Sequence, residues 1–180
     1  MTSDPAEPAP RLWWRIKVGA GAALIALLFA HYLMGLPQVA LDIPRWLAQA
    51  LVLTGGITTL LHHRIVAAAC AGNQPARLVD SGGLYGWIRH PMYLGDCLLY
   101  AGMGLLVPHP LSALLVAVGC TALVLQARAE DGHMAALFGE PFRCWQQRSG
   151  LLLPGPFDPS QYLGGRIQRV DLHDGTVTDL

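Results

Sequence analysis

Residues 18–36 read VGAGAALIALLFAHYLMGL, nineteen positions without a single Asp, Glu, Lys or Arg. At about 1.5 Å per residue, a helix of that length reaches roughly 29 Å, enough to cross a hydrocarbon core. Arg11, Arg15 and Lys17 precede it and give it a basic flank. A cleavable signal peptide is the competing reading, but no small-x-small site follows and further apolar runs come later. Those runs cover residues 46–61, 92–107 and 111–125. Pro108-His109-Pro110 separates the last two, and a turn with two prolines predicts an antiparallel helical hairpin, a single re-entrant segment being the alternative. Gly55-Gly56 and Gly102-x-Gly104 are candidate points of close helix contact.

Composition agrees with lipid as the solvent. Of 180 residues 53% are hydrophobic and only 13% charged, about half of what a soluble domain carries. Twelve Lys+Arg balance twelve Asp+Glu. This excludes a disordered chain, and it argues against a nucleic-acid binder, whose domain is basic. Cys70, Cys97, Cys120 and Cys144 lie far apart with no C-x-x-C pair, so neither a disulfide framework nor a zinc site is indicated.

Four spans place eleven of the twelve basic residues on one side and only Arg45 on the other. Loops rich in Lys and Arg stay cytoplasmic. The expectation is therefore an all-α, multi-pass integral membrane protein with about four transmembrane helices and both termini cytoplasmic. Its parts are an N-terminal arm (residues 1–17), a membrane domain (18–157) and a polar tail (158–180). In that tail, partial apolar alternation around His173-Asp174-Gly175 suggests a β-hairpin, a loose tail being the equal alternative.

Two polar segments share the cytoplasmic side. One, RLVDSGGLYGWIRHPMYLGD over residues 77–96, gathers Tyr85, Trp87, Arg89, His90 and Tyr93 where a loop enters the third span. The other, QARAEDGHMAALFGEPFRCW over residues 126–145, sets Arg128, Glu130 and Asp131 just past the fourth. An interfacial anchor is the plain reading of aromatic residues with arginine at such a boundary. A helical hairpin, however, would bring Arg89-His90 and Arg128-Glu130 to one membrane level, with cations for a carboxylate and an anion for an ammonium or hydroxyl group. Asp96 is a further ionisable candidate near a span, as is His31 within one. Gly82-Gly83-x-x-Gly86 lacks the strand–helix context of a dinucleotide loop, and His62-His63 lacks a third metal ligand.

At Leu78-Val79-x-Ser81-Gly82, Tyr85, Arg89-His90-Pro91-x-Tyr93-x-Gly95, and Arg128-x-Glu130-Asp131 followed after six residues by Phe138-Gly139-Glu140, the chain resembles the isoprenylcysteine carboxyl methyltransferases and the related phospholipid methyltransferases. The resemblance covers roughly residues 76–156. It implies S-adenosylmethionine bound at the cytoplasmic face and capped by the C-terminal segment. Ala76, Arg77, Leu78, Val79, Tyr85, His90, Pro91, Met92 and Tyr93 would line its pocket, with Glu130 as acidic partner. Arg89, His90 and Glu130 are the candidate catalytic groups by residue type, and Arg128 and Asp96, with Gln126 at the family's substrate-contacting position, are the candidates toward a small lipophilic acceptor drawn from the bilayer. No metal is implied. Departures are Asp131 for the family's second glutamate, Phe142 and Trp145 for two tyrosines, one extra residue between Ser81 and Tyr85, and Gln126 for a substrate-contacting arginine. The alternatives are an NADPH-dependent membrane reductase related to sterol reductases and a non-catalytic four-span protein.

Overall fold

The computed structural model describes residues 8–69, 83–155, 168–170 and 177–179. Helix α1 spans Pro8–Met34, α2 Arg45–Ala69, α3 Pro91–Leu106, α4 Pro110–Phe138 and α5 Glu140–Arg148. A 3₁₀ turn occupies Gly83–Gly86. Strands β1 (Gln168–Val170) and β2 (Val177–Asp179) pair antiparallel with Gln168 opposite Asp179, one of the two readings the polar tail left open. Residues 8–17, read from the sequence as an arm, form the first turns of α1. The polar stretch after residue 125 likewise continues α4 as far as Phe138.

Two of these helices are long and apolar enough to cross a membrane, Arg11–Met34 within α1 and Pro110–Phe138. Large apolar side chains stand exposed along them, among them Ile25, Phe29, Leu111, Leu114 and Val118. Such faces suit lipid rather than water. The 16 residues of α3 reach about 24 Å, short of a hydrocarbon core of about 30 Å.

The chain divides into two compact units. The first holds residues up to Gly56 together with Gly95–Glu130. Small residues set its packing. A methyl group at Gly55 would lie 2.5 Å from the Leu99 amide nitrogen, and one at Gly102 would lie 2.8 Å from the Ala48 carbonyl oxygen. Here α2 and α3 touch backbone to backbone. Gly56 meets nothing within 4 Å, so close contact falls on Gly55 and not on its neighbour. Antiparallel packing of α3 on α4 follows from paired positions on either side of the proline turn. Gly104 faces Val116, Tyr100 lies on Gly119, and the Cys97 and Cys120 thiols are hydrogen-bonded. That is the hairpin expected from Pro108-His109-Pro110. It brings together two cysteines that stand 23 positions apart in sequence. Ser112 Oγ donates to the Val107 carbonyl at 2.6 Å and the Val39 amide to that of Pro108 at 2.7 Å, fastening the turn.

The second unit holds Ile57–Leu94 and the chain from Asp131 onward. Its core is Tyr85, Phe138, Phe142 and Trp145, with Met134 and Ala135 against it. Gly139, at φ +62°, adopts a conformation that costs other residues energy, and it lets α5 leave the axis of α4. Along α5 only Phe142 and Trp145, three positions apart, are buried, so one face of a single polar helix docks.

Candidate functional site

The 3₁₀ turn and the residues after it carry the first motif of the second unit. Tyr85 is buried within the aromatic core, and loss of solvation pushes its phenol up to about 12. The Trp145 indole donates to the Tyr85 carbonyl at 2.9 Å. Tryptophan, where the resembling family has tyrosine, thus keeps a donor. The His62 ring meets Tyr85 edge-on at 5.3 Å while its Nδ1 donates to the Thr58 carbonyl at 2.7 Å.

Beyond the turn, residues 87–90 run beside residues 149–155. Ile88 and Gly150 form a parallel bridge. The Arg89 amide donates to the Gly150 carbonyl at 2.8 Å and that of His90 to Leu151 at 3.1 Å. In return the Gly150 and Gly155 amides donate to the Trp87 carbonyl at 2.8 and 3.0 Å. Neither glycine admits a side chain, since a methyl group would run into backbone atoms. The segment after α5 is therefore held along the RHP motif strand-fashion, main chain to main chain.

Side chains add a charged lock. Arg89 Nε donates to Asp131 Oδ2 at 2.9 Å, and Nη1 to the carbonyl of Gln146 at 2.9 Å and to that of Ser149. His90 Nε2 donates to Asp131 Oδ1 at 2.8 Å, and its ring stacks on Tyr93 with centroids 5.4 Å apart. Gln146 reaches the same carboxylate at 3.5 Å. The Arg89, His90 and Asp131 side chains are only 10, 14 and 8% exposed. Burial alone raises the Asp131 carboxyl. The hydrogen bond and charge of His90, with the charge of Arg89, outweigh it and hold the group below its ordinary value. Asp131 stands more than a turn past the apolar run that ends at Leu125.

Of the expected residues, the second unit thus brings together Tyr85, Arg89, His90 and Tyr93. Pro91 is fully buried, and the Met92 carbonyl accepts from Thr59 Oγ1 at 3.3 Å. Ala76, Arg77, Leu78 and Val79 lie outside the described residues. Sequence reasoning did not single out Asp131, Trp145 or Gln146 as site residues. The signal for Asp131 was its place in R-x-E-D; for the other two there was none.

In the first unit, Gln126 Nε2 donates to Glu130 Oε1 at 2.9 Å, one turn on along α4. Asp96 lies 3.9 Å from the Lys17 ammonium. One expected acceptor-side residue, Asp96, is thus paired with a lysine that sequence reading used only for topology, and another, Gln126, with the expected acidic residue. Arg128 is exposed. Among the described residues no three His, Cys, Asp or Glu side chains gather as a metal site.

Comparison with known proteins agrees with these motifs. The chain is 28% identical over 156 residues to a methanethiol S-methyltransferase of Pseudomonas deceptionensis, covering 82% of this chain and 52% of that protein. It is 26% identical over 155 residues to one of Mycobacterium tuberculosis, covering 82% and 55%. The chain thus spans about half the length of the curated relatives it matches. No solved structure matches it. Residues 45–141, which hold the RHPMY stretch and Asp131, match the phospholipid methyltransferase family, and the chain belongs to that family.

Proposed function

We propose that this protein is an S-adenosylmethionine-dependent methyltransferase of a small lipophilic acceptor. In this reading it acts at the cytoplasmic face of a membrane crossed by four helices. The observation that carries the reading is the Arg89–His90–Asp131 network, which lies within the family match and ties residues 146–151 to the RHP motif.

The donor set suits the cofactor in kind. Stacked His90 and Tyr93 rings and the aromatic core at Tyr85 offer π faces for an adenine or a sulfonium. His90, Pro91, Met92 and Tyr93 would line the site with Tyr85, and Glu130 enters by resemblance as the carboxylate for amino or hydroxyl groups. When bound, the cofactor supplies an already activated methyl group. The protein then has to align acceptor and donor and keep water out. Arg89 is a positioning residue in this scheme, because its guanidinium is committed to Asp131 and to two carbonyls of the capping segment.

The relatives' names make a small thiol the acceptor to try first. A thiol reacts as its thiolate, so a proton has to leave. We assign that proton to His90, whose ring Asp131 orients. Membership of a methyltransferase family favours this reading over a reductase or a non-catalytic span protein.

Equilibrium binding to the full-length protein in detergent tests it. Wild type is expected to bind S-adenosylmethionine and its demethylated product, with binding abolished in folded His90→Ala and Glu130→Ala. Well-folded wild type that binds neither, or that binds NADPH instead, overturns the reading.

A further inference from the structure

The sequence leaves His62-His63 as two imidazoles without a third metal ligand, and the structure separates them. His63 is exposed. His62 is 7% exposed and belongs to the second unit. Two contacts join this part of α2 to the first motif within that unit. The His62 ring meets the Tyr85 ring edge-on at 5.3 Å, and Thr59, three positions earlier, donates to the Met92 carbonyl at 3.3 Å. His62 therefore adjoins a residue of the expected cofactor pocket, on a helix tied to a second one.

One nitrogen of its ring is occupied. Nδ1 lies 2.7 Å from the Thr58 carbonyl, which can only accept. The proton thus sits on Nδ1, and in the neutral ring Nε2 is left as an acceptor. Among the described residues no side chain or amide donates to Nε2, and none pairs with the Tyr85 hydroxyl, which burial keeps protonated. A buried polar atom without a partner costs free energy that the complementary group of a ligand returns. Two such atoms on adjoining rings, an acceptor and a donor, suit a ligand edge that sets a donor beside an acceptor.

The surroundings select the part of the cofactor. An ammonium head calls for a carboxylate. Here both polar groups are neutral, and Tyr85 belongs to an aromatic core with Phe138, Phe142 and Trp145. Adenine is flat, aromatic and uncharged, and its edge carries an amino donor beside a ring-nitrogen acceptor. We propose that His62 is a cofactor-binding residue, its Nε2 accepting a hydrogen bond from the exocyclic amino group of adenine next to the Tyr85 hydroxyl. The inference rests on the methyltransferase reading above and adds to it a residue of α2 that selects the base.

The test compares the demethylated product with its hypoxanthine counterpart, in which a carbonyl oxygen replaces the amino group. Dissociation constants of both are measured for the full-length protein in detergent at pH 8, above the usual titration range of histidine. Wild type is expected to bind the adenine compound at least roughly tenfold more tightly, since the hypoxanthine oxygen would face a second acceptor. His62→Phe keeps a ring against Tyr85 and removes the acceptor. It should weaken the adenine compound roughly tenfold without weakening the other, so that the preference falls by about that factor. His62→Gln, whose amide can turn either its oxygen or its nitrogen to the base, should keep adenine affinity near that of wild type and still lose the preference. A purely structural role would weaken both compounds alike, as would a contact to a ribose hydroxyl, which both carry. Should His62→Phe not fold, His62→Gln decides the matter. Wild-type binding with a preference that these variants leave unmoved overturns this inference alone. Wild type that binds neither compound overturns the methyltransferase reading and this inference with it.

Discussion

Asp131 receives both Arg89 and His90, and so ties the two charged residues of the RHP motif to one carboxylate. Removing one member of a buried ion pair strands the other and costs about 3–5 kcal/mol. Asp131→Asn is therefore expected to lower the thermal unfolding midpoint of the detergent-solubilised protein at pH 7, with a loss of that order. The carboxyl is held below its ordinary value, so its contribution is complete above about pH 3.9 and fades as pH falls through the lower folded value. The gap between wild type and variant should narrow in strong acid. Equal midpoints at pH 7 would remove Asp131 from the role given to it here. The sequence offered Glu130 and Asp131 side by side. Adjacent residues of a helix point about 100° apart, so the two face different ways, and α4 is too uniformly apolar before them for pattern alone to fix its rotation.

At the scale of elements, the helix pairs were legible as apolar runs and their limits were not. Pro108-His109-Pro110 marked the α3–α4 turn, because proline can neither continue a helix nor donate within it. The far end of α4 carries polar residues and remains helical to Phe138, since charge alone does not stop a helix. The two neighbouring glycines of α2 give a sharp comparison. Gly55→Ala places a methyl group 2.5 and 2.6 Å from backbone atoms of α3 that cannot turn aside, an overpacking that costs about 1–3 kcal/mol. Gly56→Ala meets open space and should gain up to about 1 kcal/mol from helix propensity. Chemical denaturation of the two variants in one micelle system is expected to rank them on opposite sides of wild type. The same order of stability for both would contradict the packing of α2 on α3.

For the whole molecule, composition spoke first. Nineteen uncharged residues near the start and low total charge point to a membrane protein, and the one-sided distribution of arginines sets the expectation that both ends lie inside. Reporter fusions at each terminus check that topology, and both are expected to report the cytoplasm. A C-terminal reporter on the opposite side would mean an odd number of crossings, with the short α3 the first helix to doubt. Hydropathy, proline and motif spacing thus determined the class of protein, the hairpin and the family, because each is a property of consecutive residues and of the solvent they suit. Only the tertiary structure decided that Asp131 receives Arg89 and His90, that Trp145 binds the Tyr85 carbonyl, and that Lys17 joins Asp96. Those contacts join positions tens of residues apart. They depend on how far each helix is rotated and slid against its neighbours, which packing at glycine contacts sets and local sequence does not.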